Sequence, residues 1–232
     1  MFESVILLLY AILIMTMFLD IRFKEMTTKK KTAMILGVIG ILTINALTMH
    51  LLGQVKHGVV YPLLVQLPVF LGFSVLSRYK GIKLLFVLLS TVIFSAPPIM
   101  CVTAIRTFYN IGKPILLIVF FLGCILMLFI TYKYLKKDFN YILEYCESRR
   151  FWLFCLIPIL FYVYSYAITK YNFIQPSPES GFWVRQLPVI IVFASYNLLV
   201  RVFRDTRENR RLHEEQNLAF IELNAMQRYL DE

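Results

Sequence analysis

The sequence predicts an all-α, polytopic membrane protein with seven transmembrane helices and a C-terminal cytoplasmic coiled-coil helix. Of its 232 residues, 59% are hydrophobic and 16% are charged, whereas a soluble domain is about half apolar and about one quarter charged. Apolar segments recur along the chain at the length of about 20 residues that a helix needs to cross roughly 30 Å of hydrocarbon. Lys and Arg are concentrated in every second connection between these segments.

Seven segments have the length and apolarity expected of a membrane-spanning helix. The first begins directly after Glu3, without the basic leading stretch or the small-residue cleavage site of a signal peptide. It is therefore interpreted as a span that stays in the protein. The seven predicted spans cover residues 4–19, 33–52, 59–77, 84–105, 114–132, 151–168 and 182–203.

The net charge of +10 is distributed unevenly over the connections. The first, third and fifth connections and the tail from Arg201 hold 19 of the 24 Lys and Arg residues, and the other connections with their flanking span ends hold five. Because Lys and Arg are retained on the cytoplasmic side of a membrane, this pattern predicts an N-terminus outside and a C-terminus in the cytoplasm. It also accounts for the basic composition without nucleic acid as a partner.

The fifth connection, residues 133–150, mixes charged residues with apolar ones such as Phe139, Ile142 and Leu143. This mixture predicts a short amphipathic helix that lies on the inner membrane face. A plain solvated connector is the alternative.

The segment 204–232 contains neither Gly nor Pro and is mostly polar. Apolar residues recur in it every seven positions, with a second series offset by four, which is typical of a parallel two-stranded coiled coil. Asn209 and Gln216 are polar members of this seam. The chain is therefore expected to divide into a membrane sensor domain, residues 1–203, and a cytoplasmic signalling helix, residues 204–232. The apolar residues of the predicted dimer seam are Leu212, Ala219, Leu223, Met226 and Leu230.

The sequence contains none of the common catalytic or phosphate-binding motifs. Its His and Cys spacings do not match a zinc site, so we expect no metal, no cofactor and no catalytic residue in this chain. His213 is followed by Glu214, as an acidic residue follows the phosphoacceptor of a histidine kinase. Since no ATP-binding motif follows, His213 is interpreted as a solvated position of the coiled coil. Whether the protein is an enzyme stays open on these grounds.

Polar side chains within the apolar spans are candidates for a binding site, because in hydrocarbon they are costly unless they face the bundle interior. Asn45 is one such residue, and others gather toward the predicted outer half of the spans, where prolines could open a pocket. Each residue singly is also typical of helix–helix contacts or interface anchoring. Arg106 and Arg185 could receive an anionic group such as a carboxylate. The candidate ligand-binding residues are Gln66, Arg106, Tyr162, Tyr166, Arg185 and Gln186.

Two stretches in the C-terminal third resemble a known family. The stretch 149–158, Arg-Arg-Phe-Trp-Leu-Phe-Cys-Leu-Ile-Pro, with the aromatic run 161–167, resembles the penultimate span of Firmicutes sensor histidine kinases with GHKL-type ATPase domains. The stretch 195–200, Ser-Tyr-Asn-Leu-Leu-Val, followed by 207–212, looks like their last span and signalling linker. Among these kinases, the chain is most similar in topology to the quorum-sensing members of the accessory-gene-regulator type.

This resemblance implies a sensor module in the bacterial cytoplasmic membrane that perceives an extracellular small molecule or peptide for a two-component signalling system. Its expected partners are the lipid bilayer, that ligand, and a second copy of the chain or a histidine kinase. The chain departs from the family because it stops at Glu232, before the ATP-binding boxes. A transporter or channel subunit and a kinase-less partner of a full-length kinase remain alternatives. An intramembrane enzyme is a weaker one, because the spans hold no nucleophile–base set.

Overall fold

A computed structural model describes residues 2–21, 26–109, 111–146, 151–169 and 178–231. These residues form helices and connecting turns, and no strand occurs among them. Two π-helical turns, Pro62–Gln66 and Thr131–Leu135, join consecutive helices. The helices are α1 (Phe2–Phe18), α2 (Thr28–Tyr61), α3 (Leu67–Leu76), α4 (Ile82–Phe108), α5 (Lys113–Ile130), α6 (Lys136–Tyr145), α7 (Phe151–Thr169) and α8 (Pro178–Asp231).

The prediction of an all-helical chain with several membrane-crossing helices is confirmed. Within the described residues, five helical segments are long and apolar enough to cross a membrane. The first and sixth predicted spans correspond to shorter apolar helical segments, Glu3–Phe18 and Phe154–Ala167. The total of seven crossings stays a prediction. The five longer segments are Thr28–Gly53, Lys56–Leu76, Ile82–Phe108, Lys113–Tyr145 and Gln186–Asn224.

The turn between the second and third spans is made at a single residue, Gly53. Its backbone has φ 72° and ψ 169°, a conformation outside the helical region, in the middle of α2. A side chain is rarely tolerated in this part of the Ramachandran map, and glycine adopts it freely. Gly53 thus separates the two apolar halves of α2 without a loop between them.

The central helix is α4, which contacts α1, α3, α5, α7 and α8. An aromatic cluster lies where these helices meet, and its members are among the most completely buried side chains. Phe18 and Phe139 are stacked with ring centroids 4.1 Å apart, and Phe86 and Phe94 of α4 lie 5.6 and 5.5 Å from the Phe139 ring. Tyr196 of α8 packs against the same rings and is hydrogen-bonded to Ser90. Helices α1, α4, α6 and α8 therefore share one core.

The fifth connection does form an amphipathic helix, α6, whose apolar face packs against the protein and not against lipid. Its position at the inner membrane face stays a prediction. Its apolar residues Phe139, Ile142 and Leu143 are fully buried in the protein core. Spaced at i, i+3 and i+4, they form one face of the helix. A lipid surface and a protein core are both apolar, so that face alone does not identify what it packs against. The aromatic cluster covers it here.

The outer surface of the bundle is strongly apolar. Large side chains such as Leu51, Leu63 and Val75 point outward, and Val75 is 81% exposed. Contiguous apolar surface of this kind is unusual on monomeric soluble proteins and is expected where helices contact lipid. Length, composition and surface together describe a membrane protein.

The C-terminal half of α8 extends away from the bundle. Every residue from 205 to 223 is exposed, and the whole helix of 54 residues is roughly 80 Å long at 1.5 Å per residue. The predicted continuation of the last span into the tail helix is therefore present. The coiled coil stays a prediction, since it requires a second chain.

Candidate functional site

Helices α3, α4 and α7 and the π-helical turn Pro62–Gln66 line an open apolar cavity that contains one hydrogen-bonded polar pair. The Tyr162 hydroxyl donates to Oε1 of Gln66 over 2.6 Å. Gln66 ends the π-helical turn Pro62–Gln66, and Tyr162 lies near the middle of α7. The cavity has a volume of about 320 Å³, which is at the lower end of the range of small-molecule sites. Its remaining lining is formed by Pro62, Leu67, Phe70, Leu85, Leu88, Leu89 and Val92.

A second tyrosine extends this site along α7. The rings of Tyr162 and Tyr166 are stacked with centroids 4.6 Å apart and an interplanar angle of 28°. The pair shares one helix face because the residues are four positions apart. The structure thus brings together three candidate residues, Gln66, Tyr162 and Tyr166.

The other three candidates are not joined to that pair. Arg106 is exposed in the last turn of α4, and Gln186 is buried in α8. Neither forms a hydrogen bond or an ion pair with Gln66 or Tyr162 among the described residues. The side chain of Arg185 lies outside the described part of the chain. An anion site formed by Arg106 and Arg185 stays a prediction.

A separate polar cluster connects α1 with both halves of α2. Asn45 is fully buried; its amide nitrogen donates to Ser4 Oγ over 3.0 Å, and its Oδ1 lies 3.1 Å from His57 Nε2. His57 is also buried, with its ring 5.5 Å from that of Tyr61. The expectation that Asn45 faces the bundle interior is confirmed. The cluster holds the chain on the two sides of Gly53 together.

A third polar cluster, which we name the α6 clamp, consists of Lys83, Asp138, Arg204 and Arg207. Asp138 is 2% exposed, and its Oδ1 accepts a hydrogen bond of 2.6 Å from an Arg204 guanidinium nitrogen. Lys83 Nζ donates over 2.6 Å to the carbonyl of Leu143. Arg207 donates to the carbonyl of Tyr145 and lies over its ring. The clamp fastens α6 to α4 and α8.

The sequence contains a signal for the clamp that hydropathy and charge counts do not show. Asp138 directly precedes the apolar face of α6, so the burial of that face brings the carboxylate with it. A buried carboxylate requires a cationic partner, and the basic start of the tail offers several. The sequence does not indicate which arginine pairs with Asp138.

The chemistry available at these sites is recognition by hydrogen bonds and charge. Among the described residues, no group of three or more His, Cys, Asp and Glu side chains could hold a metal ion.

Comparison of this chain with models of protein families, with curated proteins and with solved structures finds no significant match. The fold defines the class: an all-helical protein with several apolar, membrane-crossing helices and an extended exposed helix at its C-terminus.

Proposed function

We propose that this protein is a seven-span sensor module of a two-component signalling system, with its N-terminus outside and its C-terminal helix in the cytoplasm. An extracellular small molecule or peptide binds the bundle, and α8 passes the resulting movement to a dimeric cytoplasmic helix. The charge asymmetry of 19 to five among the Lys and Arg residues supports this orientation.

The observation that carries the proposal is the continuity of α8. One helix, Pro178–Asp231, begins among the bundle helices and ends far beyond them, with Pro188 inside it and no break in it. An α-helix is stiff along its axis, so a shift or rotation of its first half moves its second half. A sensor needs a connection of this kind between its membrane bundle and a cytoplasmic partner.

The Gln66–Tyr162 cavity is the ligand site that the contacts favour. Its amide and phenol lie in a largely apolar wall, a composition common to binding sites that fix orientation with few polar groups. A ligand that competes for the Gln66 oxygen or the Tyr162 hydroxyl separates α7 from the π-helical turn. A ligand shifts a conformational equilibrium only if it binds one of the two conformations more tightly than the other.

Exposure of the tail supports the proposed dimer contact. Leu212, Leu223 and Met226 are each more than half exposed in the single chain, and Ala219 is exposed beside them. The side chain of Leu230 lies outside the described residues. Most of the stability of a helix in a protein comes from packing of one of its faces, so pairing of these positions with a second copy or with a histidine kinase stabilises the tail.

The proposal is tested by joining a histidine kinase catalytic module after Glu232 and measuring its autophosphorylation in membrane vesicles. The probe is a pooled library of short linear and cyclic peptides added to the outer side. We expect at least one pool to change phosphorylation in the native chain. That response should be lost in Gln66→Leu and Tyr162→Phe and retained in Tyr109→Phe, a matched control at an exposed tyrosine.

Two outcomes would contradict the proposal. Equal responses in Tyr162→Phe and Tyr109→Phe would remove the cavity from the mechanism. Solute flux in proteoliposomes, with no peptide pool altering phosphorylation, would identify a transporter or channel instead. Co-purification of a full-length kinase with the native chain would indicate that the protein acts as a sensor subunit that pairs with that kinase.

A further inference from the structure

We propose that α6 is the coupling element of this protein: the α6 clamp fixes the position of the tail half of α8 against the bundle, and the tail moves when the clamp opens. This inference rests on the proposed function for the meaning of that movement as a signal. The contacts of the clamp itself are independent of any ligand.

The ion pair between Asp138 and Arg204 is the strongest contact between α6 and α8. Of the ion pairs between described residues, this is the one with a fully buried partner: Asp138 is 2% exposed, while the carboxylates of the others are about half exposed. Surface ion pairs contribute little. A buried carboxylate, by contrast, holds its partner firmly, because losing it leaves an uncompensated charge in the core.

Two further cations fix the C-terminal end of α6. The carbonyls of the last turn of a helix lack partners within the helix and carry its partial negative charge. Lys83 of α4 binds the carbonyl of Leu143, and Arg207 of α8 binds that of Tyr145. Helix α6 is thus held by α4 from the bundle side and by α8 from the tail side.

The geometry makes the clamp sensitive to movement of α8. Arg204 and Arg207 are three residues apart and therefore share one face of that helix. A rotation of α8 by one residue, about 100°, turns both guanidinium groups away from α6, and a shift of one turn, about 5.4 Å, exceeds the reach of a hydrogen bond. The clamp thus has two discrete states, made or broken, as a switch requires.

Two buried polar atoms lie on the helices that the clamp joins. Asn140 Oδ1 on α6 and Asn197 Oδ1 on α8 have no hydrogen-bond partner within the described residues. A buried acceptor without a partner costs free energy in the packed state. Both atoms therefore raise the free energy of the clamped arrangement.

The reactivity of Cys146 tests this proposal in the full-length protein without added ligand. Cys146 follows α6 directly and is buried, and its amide caps the helix at the Ile142 carbonyl. The native protein in membrane vesicles is treated with a maleimide, and the labelled cysteines are identified by mass spectrometry. We expect Arg204→Gln and Arg207→Gln to raise the Cys146 labelling rate roughly tenfold or more, since each removes a charge-assisted hydrogen bond.

Arg210→Gln is the matched control, because Arg210 is exposed on the same helix and loses the same charge. Coupling requires that a substitution on α8 exposes the cysteine directly after α6 and that the control substitution does not. Equal labelling rates in Arg207→Gln and Arg210→Gln would overturn the proposal.

Buried bundle cysteines separate opening of the clamp from unfolding. Cys124 and Cys155 are buried in α5 and α7, so their labelling would report a disrupted bundle. If Arg204→Gln also raises the labelling of these two cysteines, the Cys146 labelling rate in Arg207→Gln decides between opening and unfolding, because removing the Arg207 charge leaves no unpaired charge in the core. If the arginine variants raise Cys146 labelling but no peptide pool changes phosphorylation, the clamp is supported and only the proposed sensor function is contradicted.

Discussion

At the scale of single residues, the fold depends on a few polar side chains placed in an otherwise apolar interior. Asn45 makes hydrogen bonds in two directions, to Ser4 of α1 and to His57 beyond the Gly53 turn. Within a membrane protein, such bonds contribute about 0.6 kcal/mol on average and up to roughly 1.7 kcal/mol each. Their larger effect is directional, because they determine which faces of two equally apolar helices meet.

We predict that Asn45→Ala destabilises the protein by about 1–2 kcal/mol, since it breaks the hydrogen bond to α1 and the one across the Gly53 turn, and leaves His57 without this partner. The measurement is unfolding of the full chain in mixed micelles, followed by circular dichroism. Thr48→Val is the control: its hydroxyl lies one turn further along α2 and bonds only within that helix. Equal losses of stability in the two variants would show that Asn45 does not connect the helices.

At the scale of elements, backbone conformation decides where one apolar helix ends and the next begins. The composition around residues 53–58 indicated a turn, and Gly53 makes it with a positive φ and an extended ψ. The π-helical turns at Pro62–Gln66 and Thr131–Leu135 were not predicted. Such turns arise from local backbone adjustment and have no distinctive periodicity in sequence.

We predict that Gly53→Ala lowers stability by roughly 1–3 kcal/mol, the cost of holding a non-glycine residue in this backbone region. A Cβ atom at this site would contact nothing within 4 Å, so the cost is conformational and not steric. Gly40→Ala on the same helix is equally unobstructed. Because Gly40 lies in a regular part of α2, its replacement should be neutral or stabilising by up to about 1 kcal/mol. A loss at Gly53 no larger than at Gly40 would contradict the assignment.

At the scale of the whole molecule, α8 links the membrane bundle to the exposed tail. Its first half is in contact with α4 and α7, and its middle is in contact with α6. Residues 205–223, further along the helix, are all exposed. A helix that connects a bundle to a separate partner needs such a packed first half and an exposed second half.

We predict that Leu223→Lys converts a dimer of the full chain into a monomer, because it places a charge in the predicted seam. Ile221→Lys should leave the dimer intact, since Ile221 is similarly exposed but lies about 200° around the helix from Leu223. Sedimentation in detergent micelles measures the mass of both variants. A monomeric native chain, or equal masses for the two variants, would rule out this seam.

Hydropathy and charge by themselves determined the helical class, the positions of the apolar segments, the turn near Gly53 and the continuous helix at the C-terminus. These properties are local sums over neighbouring residues, so a sequence contains them in full. Tertiary structure decided which polar groups meet: Gln66 with Tyr162, Asn45 with His57, and Asp138 with Arg204. It also decided that α6 packs into the core. Lipid and protein interior are equally apolar, and only the packing of distant helices distinguishes between them.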